Sequence, residues 1–224
     1  MKIVVFLVPF ILFFGLFGIK AGYPDIYSAL IQEDAGVENI QALTYLASSL
    51  LAFFVSAKFL RNGLFFGAIL HSVLAIGLLF ISIEEISWGQ RLMGFGLPEF
   101  FARHNTQNEL SIHNLAPIQL ALHGIYILIG AYGSFAWILA RHIEPRLNEN
   151  RRQLVSYLAP DWFISPYFFF TLLTYILLES NRPGEGSFLK WKDQEIAELL
   201  LSLGFLILVL SNHLKLKKCL RQSN

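Results

Sequence analysis

Two short stretches carry side chains suited to acid–base or metal chemistry. One is Glu84-Glu85-Ile86-Ser87-Trp88-Gly89-Gln90-Arg91; the other runs from His104 to Asn114 and contains Asn105, Gln107, Glu109 and His113. Adjacent carboxylates are costly to take out of water unless a cation, an arginine or a proton compensates them, and Arg91 is the nearest positive group in the sequence. If the second stretch is helical, Asn105, Glu109 and His113 align at i, i+4 and i+8, a spacing that lets a carboxylate and an imidazole ligate one cation. If Asn114 instead caps a following helix with Pro117 in its first turn, Glu109 and His113 sit on a loop and their relative geometry is open. The candidate catalytic groups are Glu84, Glu85 and Arg91. Glu85, Glu109 and His113 are candidate ligands of a divalent cation. Glu38, Trp88, Gln90, Asn105, Gln107, Asn114 and Glu179 are candidate walls of a shared polar cavity.

The rest of the chain determines where such a site must sit. Of 224 residues, 55% are hydrophobic, only 15% are charged, and 21 are phenylalanine. A soluble domain carries about 25% charged residues, so this chain is too poor in them to coat its own surface. The net charge of +1 leaves no surplus to neutralise phosphates, which argues against a nucleic-acid partner. A lone Cys219 excludes a disulfide framework and multi-cysteine metal motifs.

A bilayer core about 30 Å thick needs roughly 20 apolar residues in a helix. Six stretches approach this: Ile3–Ile19, Asn39–Ala57, Leu64–Ile83, Leu115–Ala140, Phe163–Leu178 and Ile196–Asn212. The expectation is an all-α bundle of six spans, forming one integral membrane domain over residues 1–224. Lys2 followed by an apolar run has features of a signal peptide. The run is long, however, and no small-x-small cleavage pattern precedes Tyr23-Pro24, so it reads as a retained span.

With the amino terminus inside, Lys2, Lys58, Arg61, Arg141, Arg146, Arg151, Arg152, Lys215, Lys217, Lys218 and Arg221 fall on the cytoplasmic side, most of the 17 basic residues. The positive-inside rule then places both termini in the cytoplasm. Of the 16 acidic residues only Glu144, Glu149 and Asp161 accompany them, so the outer face is where function is expected. There the third span is expected to continue as a helix past its two carboxylates to Gly89. Glu84, Ser87, Trp88 and Arg91 would then share one face. Leu92–Arg103 is too short to cross, and reads as an amphipathic or re-entrant outer segment between spans three and four, giving an apolar substrate a way in.

Gln41, Thr44, Tyr45 and Ser48 form a polar stripe that should face the bundle interior. Asp193, Glu195 and Glu198 suit the start of a helix, whose dipole favours acids. His71 and His123 read as hydrogen-bonding neighbouring spans, and His142 and His213 as inner-interface residues outside the site. Ser87 and Ser111 lack the strand-to-helix setting of a hydrolase nucleophile, and Gly89, Gly94 and Gly96 lack that of a nucleotide loop.

The pattern EEISWGQR at 84–91, with P-E-F at 98–100, N-T-Q-N-E at 105–109 and H-N at 113–114, resembles one that recurs in uncharacterised bacterial polytopic membrane proteins. Glu33-Asp34-Ala35-Gly36-Val37-Glu38 and Asp193-Gln194-Glu195-Ile196-Ala197-Glu198 look like parts of the same pattern. The resemblance implies a six-span bundle in the bacterial cytoplasmic membrane and brings no activity with it.

Two kinds of function fit these residues. One is a hydrolase or transferase, with or without a divalent cation, acting on a lipid or lipid-linked substrate at the outer leaflet. The other is a scaffold or subunit that supports a membrane-protein partner, or a cation transporter or sensor using the acidic cavity.

Overall fold

The computed structural model describes residues 1–32, 36–105, 109–184 and 186–222, and, among these, the side chains of Arg91, Leu92, Ala116, Leu120, Asn150 and Gln222 are left aside. The described chain is helical: α1 (Lys2–Gly22), α2 (Pro24–Ile31), α3 (Gly36–Arg61), α4 (Phe65–Glu85), α5 (Gln90–Met93), α6 (Glu99–His104), α7 (Ala116–Ile143), α8 (Glu149–Leu158), α9 (Ser165–Asn181) and α10 (Gln194–Gln222). Five helical stretches among the described residues are long and apolar enough to cross a membrane: Lys2–Gly22, Pro24–Arg61, Phe65–Glu85, Pro117–Arg146 and Trp191–Arg221. This is the architecture of a multi-pass membrane protein. The fifth expected span, Phe163–Leu178, corresponds to α9, whose 17 residues rise only about 25 Å. Pro166 lies in its first turn, where the missing N–H costs nothing. Helix α9 buries Tyr167, Phe168, Phe170, Tyr175 and Leu178 in the bundle core, whereas Ile3, Ile11, Ile69 and Leu128 on other helices are exposed as lipid-facing residues would be.

Lipid tails are as apolar as leucine, so polar groups and close approach must hold the helices together. Helices α3 and α4 are joined by serine hydroxyls that donate to carbonyls across the interface: Ser49 to Ala75 at 2.7 Å, Ser56 to Ala68 at 2.8 Å and Ser82 to Ala42 at 2.8 Å. Thr171 on α9 donates to the Ala197 carbonyl on α10 at 3.0 Å. Gln41, Thr44, Tyr45 and Ser48 are all buried in the bundle. Helices α7 and α9 meet at glycine, where a Cβ on Gly130 would stand 2.8 Å from the Leu172 nitrogen.

Contacts along the bundle define its two ends. At one end, Lys2 Nζ lies 5.4 Å from the centre of the Phe163 ring, the Tyr167 hydroxyl donates to the Val5 carbonyl at 3.1 Å, and Asp161 reaches Ser211 and Lys215. Both termini of the helical path therefore lie at this end. At the other, the buried Asp193 pairs with Lys20 of α1 and accepts a hydrogen bond from Tyr27 of α2 at 2.6 Å. The acidic residues singled out by the sequence lie at this second end.

Candidate functional site

Helix α4 stops at Glu85 rather than continuing to Gly89. Ser87, Trp88 and Gly89 take φ values of 48°, 54° and 74°, so the chain turns through three left-handed residues, two of them without glycine's freedom. Such conformations cost of order 1–3 kcal/mol each and persist where surrounding contacts hold them. Here Ser87 Oγ donates to Glu109 Oε2 at 2.7 Å, and the Trp88 indole N–H donates to Glu84 Oε1. This reversal also overturns the expected common helical face of Glu84, Ser87, Trp88 and Arg91.

Asn105 and residues 109–115 are not helical, so Asn105, Glu109 and His113 do not align on a helix face. Asn105 pairs with Leu115 in an isolated antiparallel bridge, and its side-chain amide donates to the Ser111 carbonyl at 2.9 Å. Helix α7 is preceded by Leu115, not capped by Asn114, and has Pro117 in its first turn. The loop closes over the end of α4. Glu84 Oε2 accepts from the amides of Ile112 at 2.7 Å and His113 at 3.0 Å, and from His113 Nδ1 at 3.3 Å. The side chain of Gln90 accepts from the Leu110 amide at 2.6 Å. Glu84 and Glu109 are 4% and 2% exposed, so both carboxylates are held inside the protein by donors rather than by water. Burial alone would lower the pKa of His113; the hydrogen bond to Glu84 and the charges of Glu198, Glu84 and Glu109 overcome it and leave the imidazole above its ordinary range.

A second imidazole arrives from α7. His123 Nδ1 hydrogen-bonds Glu179 Oε1 of α9 and stacks on Trp191, with ring centres 5.5 Å apart. Glu198 of α10 accepts from the Tyr175 hydroxyl and lies within electrostatic range of both His113 and His123. His113, Asn114, His123, Tyr126, Tyr175 and Glu198 line one small cavity of about 20 Å³. That is room for roughly one water molecule.

Beside it, Glu85 is within electrostatic range of Glu198, Glu195, Glu38 and Glu84. Gln41 donates from Nε2 to the Glu195 carbonyl at 2.7 Å, while its buried Oε1 has no hydrogen-bond partner among the described residues. A buried acceptor left unmade costs about 1–3 kcal/mol, which a bound water or a hydrogen on a neighbouring carboxyl would remove.

Of the residues selected from sequence, Glu84, Trp88, Gln90, Asn105, Glu109 and His113 are joined in the loop-to-α4 network. Asn114 and His113 reach the cavity, and Glu179 meets it through His123. Glu38 and Glu85 belong to the acidic group behind it. The Arg91 side chain and the whole of Gln107 lie outside what is described. The expected ligand trio of Glu85, Glu109 and His113 is not assembled: among the described residues no three His, Cys, Asp or Glu side chains are grouped to hold a metal ion. Glu109 faces Ser87 and His113 faces Glu84, while Glu85 falls one residue further round the helix.

His123, Tyr126, Tyr175 and Glu198 were missed. The available signal was depth: His123 is two turns into α7, and Glu179 lies near the end of α9, which puts them at the same level in an antiparallel pair. Comparison with protein-family models, curated proteins and solved structures finds no match.

Proposed function

We propose that this chain is a membrane-embedded hydrolase or transferase that uses acid–base chemistry on a lipid or lipid-linked substrate. The observation that carries this reading is the water-sized cavity between two imidazoles, each held at Nδ1 by a carboxylate, with Glu198 in the same wall. A carboxylate at Nδ1 fixes the tautomer and leaves Nε2 to take a proton from water or a substrate hydroxyl. Glu198 and Tyr175 then supply or store the proton for the leaving group. Glu84 and Glu179 are positioning residues in this scheme, and Arg91 is the cation for a substrate anion. The exposed Met93, Phe95 and Phe100 offer an acyl chain a path alongside the site.

The cavity lies toward the outer leaflet of a bacterial cytoplasmic membrane, with both termini in the cytoplasm and α9 completing a sixth crossing. In favour of this are the basic residues at the end holding the termini, and the position of Lys2 beside the segment that Asp161 joins to Lys215. A divalent cation at His113 and Glu198 would lower the pKa of the bound water, and elemental analysis of the purified chain reads whether one is present.

The test is comparative lipid mass spectrometry of cells producing the wild type, His113→Gln or Glu198→Gln at equal level. At least one lipid should rise or fall with the wild type, by a rate about 100-fold or more above that of either variant. Coincident lipid profiles for all three would overturn the assignment.

A further inference from the structure

The opposite end of the bundle carries a second, larger cavity that the chemistry above does not use. It encloses about 450 Å³, within the range of small-ligand sites, and its walls include Trp137, Arg141, Glu144, Asp161, Trp162 and Lys215. Lys215 Nζ donates to the Ser156 carbonyl at 2.7 Å and pairs with Asp161 at 3.0 Å; Asp161 also accepts from Ser211 at 2.5 Å. This pair forms a neutral, tied-down base that still has one ammonium hydrogen to offer. Arg141 is exposed and Glu144 half-buried, one turn apart at the end of α7, and neither side chain has an ion-pair partner among the described residues. The open charges are thus one guanidinium and one carboxylate. Two indoles flank them: the Trp137 N–H is taken by the Ser134 carbonyl at 2.9 Å, and Trp162 packs against Phe6, ring centres 5.5 Å apart. Indoles in this position suit the headgroup level of a bilayer.

We propose that this cavity binds the phosphoethanolamine headgroup of a membrane phospholipid. The phosphate meets Arg141 and the remaining Lys215 hydrogen, and the ammonium meets Glu144 and an indole face. A ligand with phosphate alone would leave Glu144 facing like charge, and a quaternary ammonium cannot donate a hydrogen bond to it.

Native mass spectrometry of the full chain in detergent tests this, with phosphatidylethanolamine, phosphatidylglycerol and phosphatidylcholine of matched acyl chains. Phosphatidylethanolamine should bind about tenfold more tightly than either competitor. Arg141→Ala should weaken phosphatidylethanolamine and phosphatidylglycerol alike, whereas Glu144→Gln should weaken only the former. Soluble phosphoethanolamine should displace the lipid where equal inorganic phosphate does not. Equal retention of the three lipids, wild-type binding by both variants, or displacement by phosphate alone would each overturn the assignment. Arg141 is exposed and Glu144 half-buried, and an unchanged melting temperature of each variant shows that the fold is kept.

Discussion

Glu84 and His113 are 29 residues apart in sequence, yet one carboxylate oxygen accepts both the backbone amide and the ring N–H of the histidine. That single oxygen fastens the loop before α7 to the end of α4. Replacing Glu84 with Gln puts an amide donor where donors already converge, and should cost roughly 1–3 kcal/mol. The loop around Glu109–Asn114 should also become a site of limited proteolysis in detergent. Unchanged thermal unfolding and an uncut loop would show that the contact does not hold the segment.

The same pair makes stability depend on pH. Folded His113 holds its proton more tightly than in the unfolded chain, where it titrates near its ordinary value of 6.5. Its stabilisation is therefore fully present below that value and is lost as pH rises through the higher folded value. Melting temperature should fall across that interval in the wild type. His113→Gln should flatten this part of the profile; an identical pH slope in the variant would assign the effect elsewhere.

Ser87 separates backbone strain from side-chain bonding. Both Ser87→Ala and Ser87→Gly lose the hydroxyl that donates to Glu109, but only glycine relaxes a φ of 48°. The glycine variant should exceed the alanine variant in stability by about 1 kcal/mol. Chemical unfolding of the two in the same detergent measures the difference directly, and the reverse order would remove strain as a factor.

Gly130 lets α7 and α9 touch. A methyl there meets the Leu172 backbone, at 2.8 Å from nitrogen and 2.9 Å from Cα, and backbone cannot step aside as a side chain would. Gly130→Ala should destabilise by about 1–3 kcal/mol, the usual cost of overpacking. It should also disturb the His123–Glu179 pair carried by the same two helices. Wild-type melting and unperturbed histidine resonances would refute both effects.

Much of the fold was legible because bilayer thickness sets a length that apolar runs either meet or miss. Phe163–Leu178 already fell short in the sequence, and the structure makes it a 17-residue helix. The chemistry was only partly legible. Glu84, Glu85, Glu109 and His113 stood out by type, but their pairing depends on a reversal at Ser87 and Trp88. Neither residue type advertises left-handed backbone, so helical periodicity was extended too far. His123 and Glu198 were set aside for local reasons, one as a histidine within a span and the other as an acid in a first turn. Their partners come from α9 and the loop before α7, and no local pattern encodes such meetings.

The ion pair of Lys20 with the fully buried Asp193 joins segments 173 residues apart in the sequence. Lys20 also lies over the rings of Tyr27 and Phe188, so the ammonium end of α1 is enclosed by α2 and by the segment that leads into α10. Asp193, just before α10, also accepts from the Tyr27 hydroxyl at 2.6 Å and the Lys190 amide at 2.8 Å, so its charge is met by donors as well as by the ammonium. One buried carboxylate thus ties α1 and α2 to the entrance of α10.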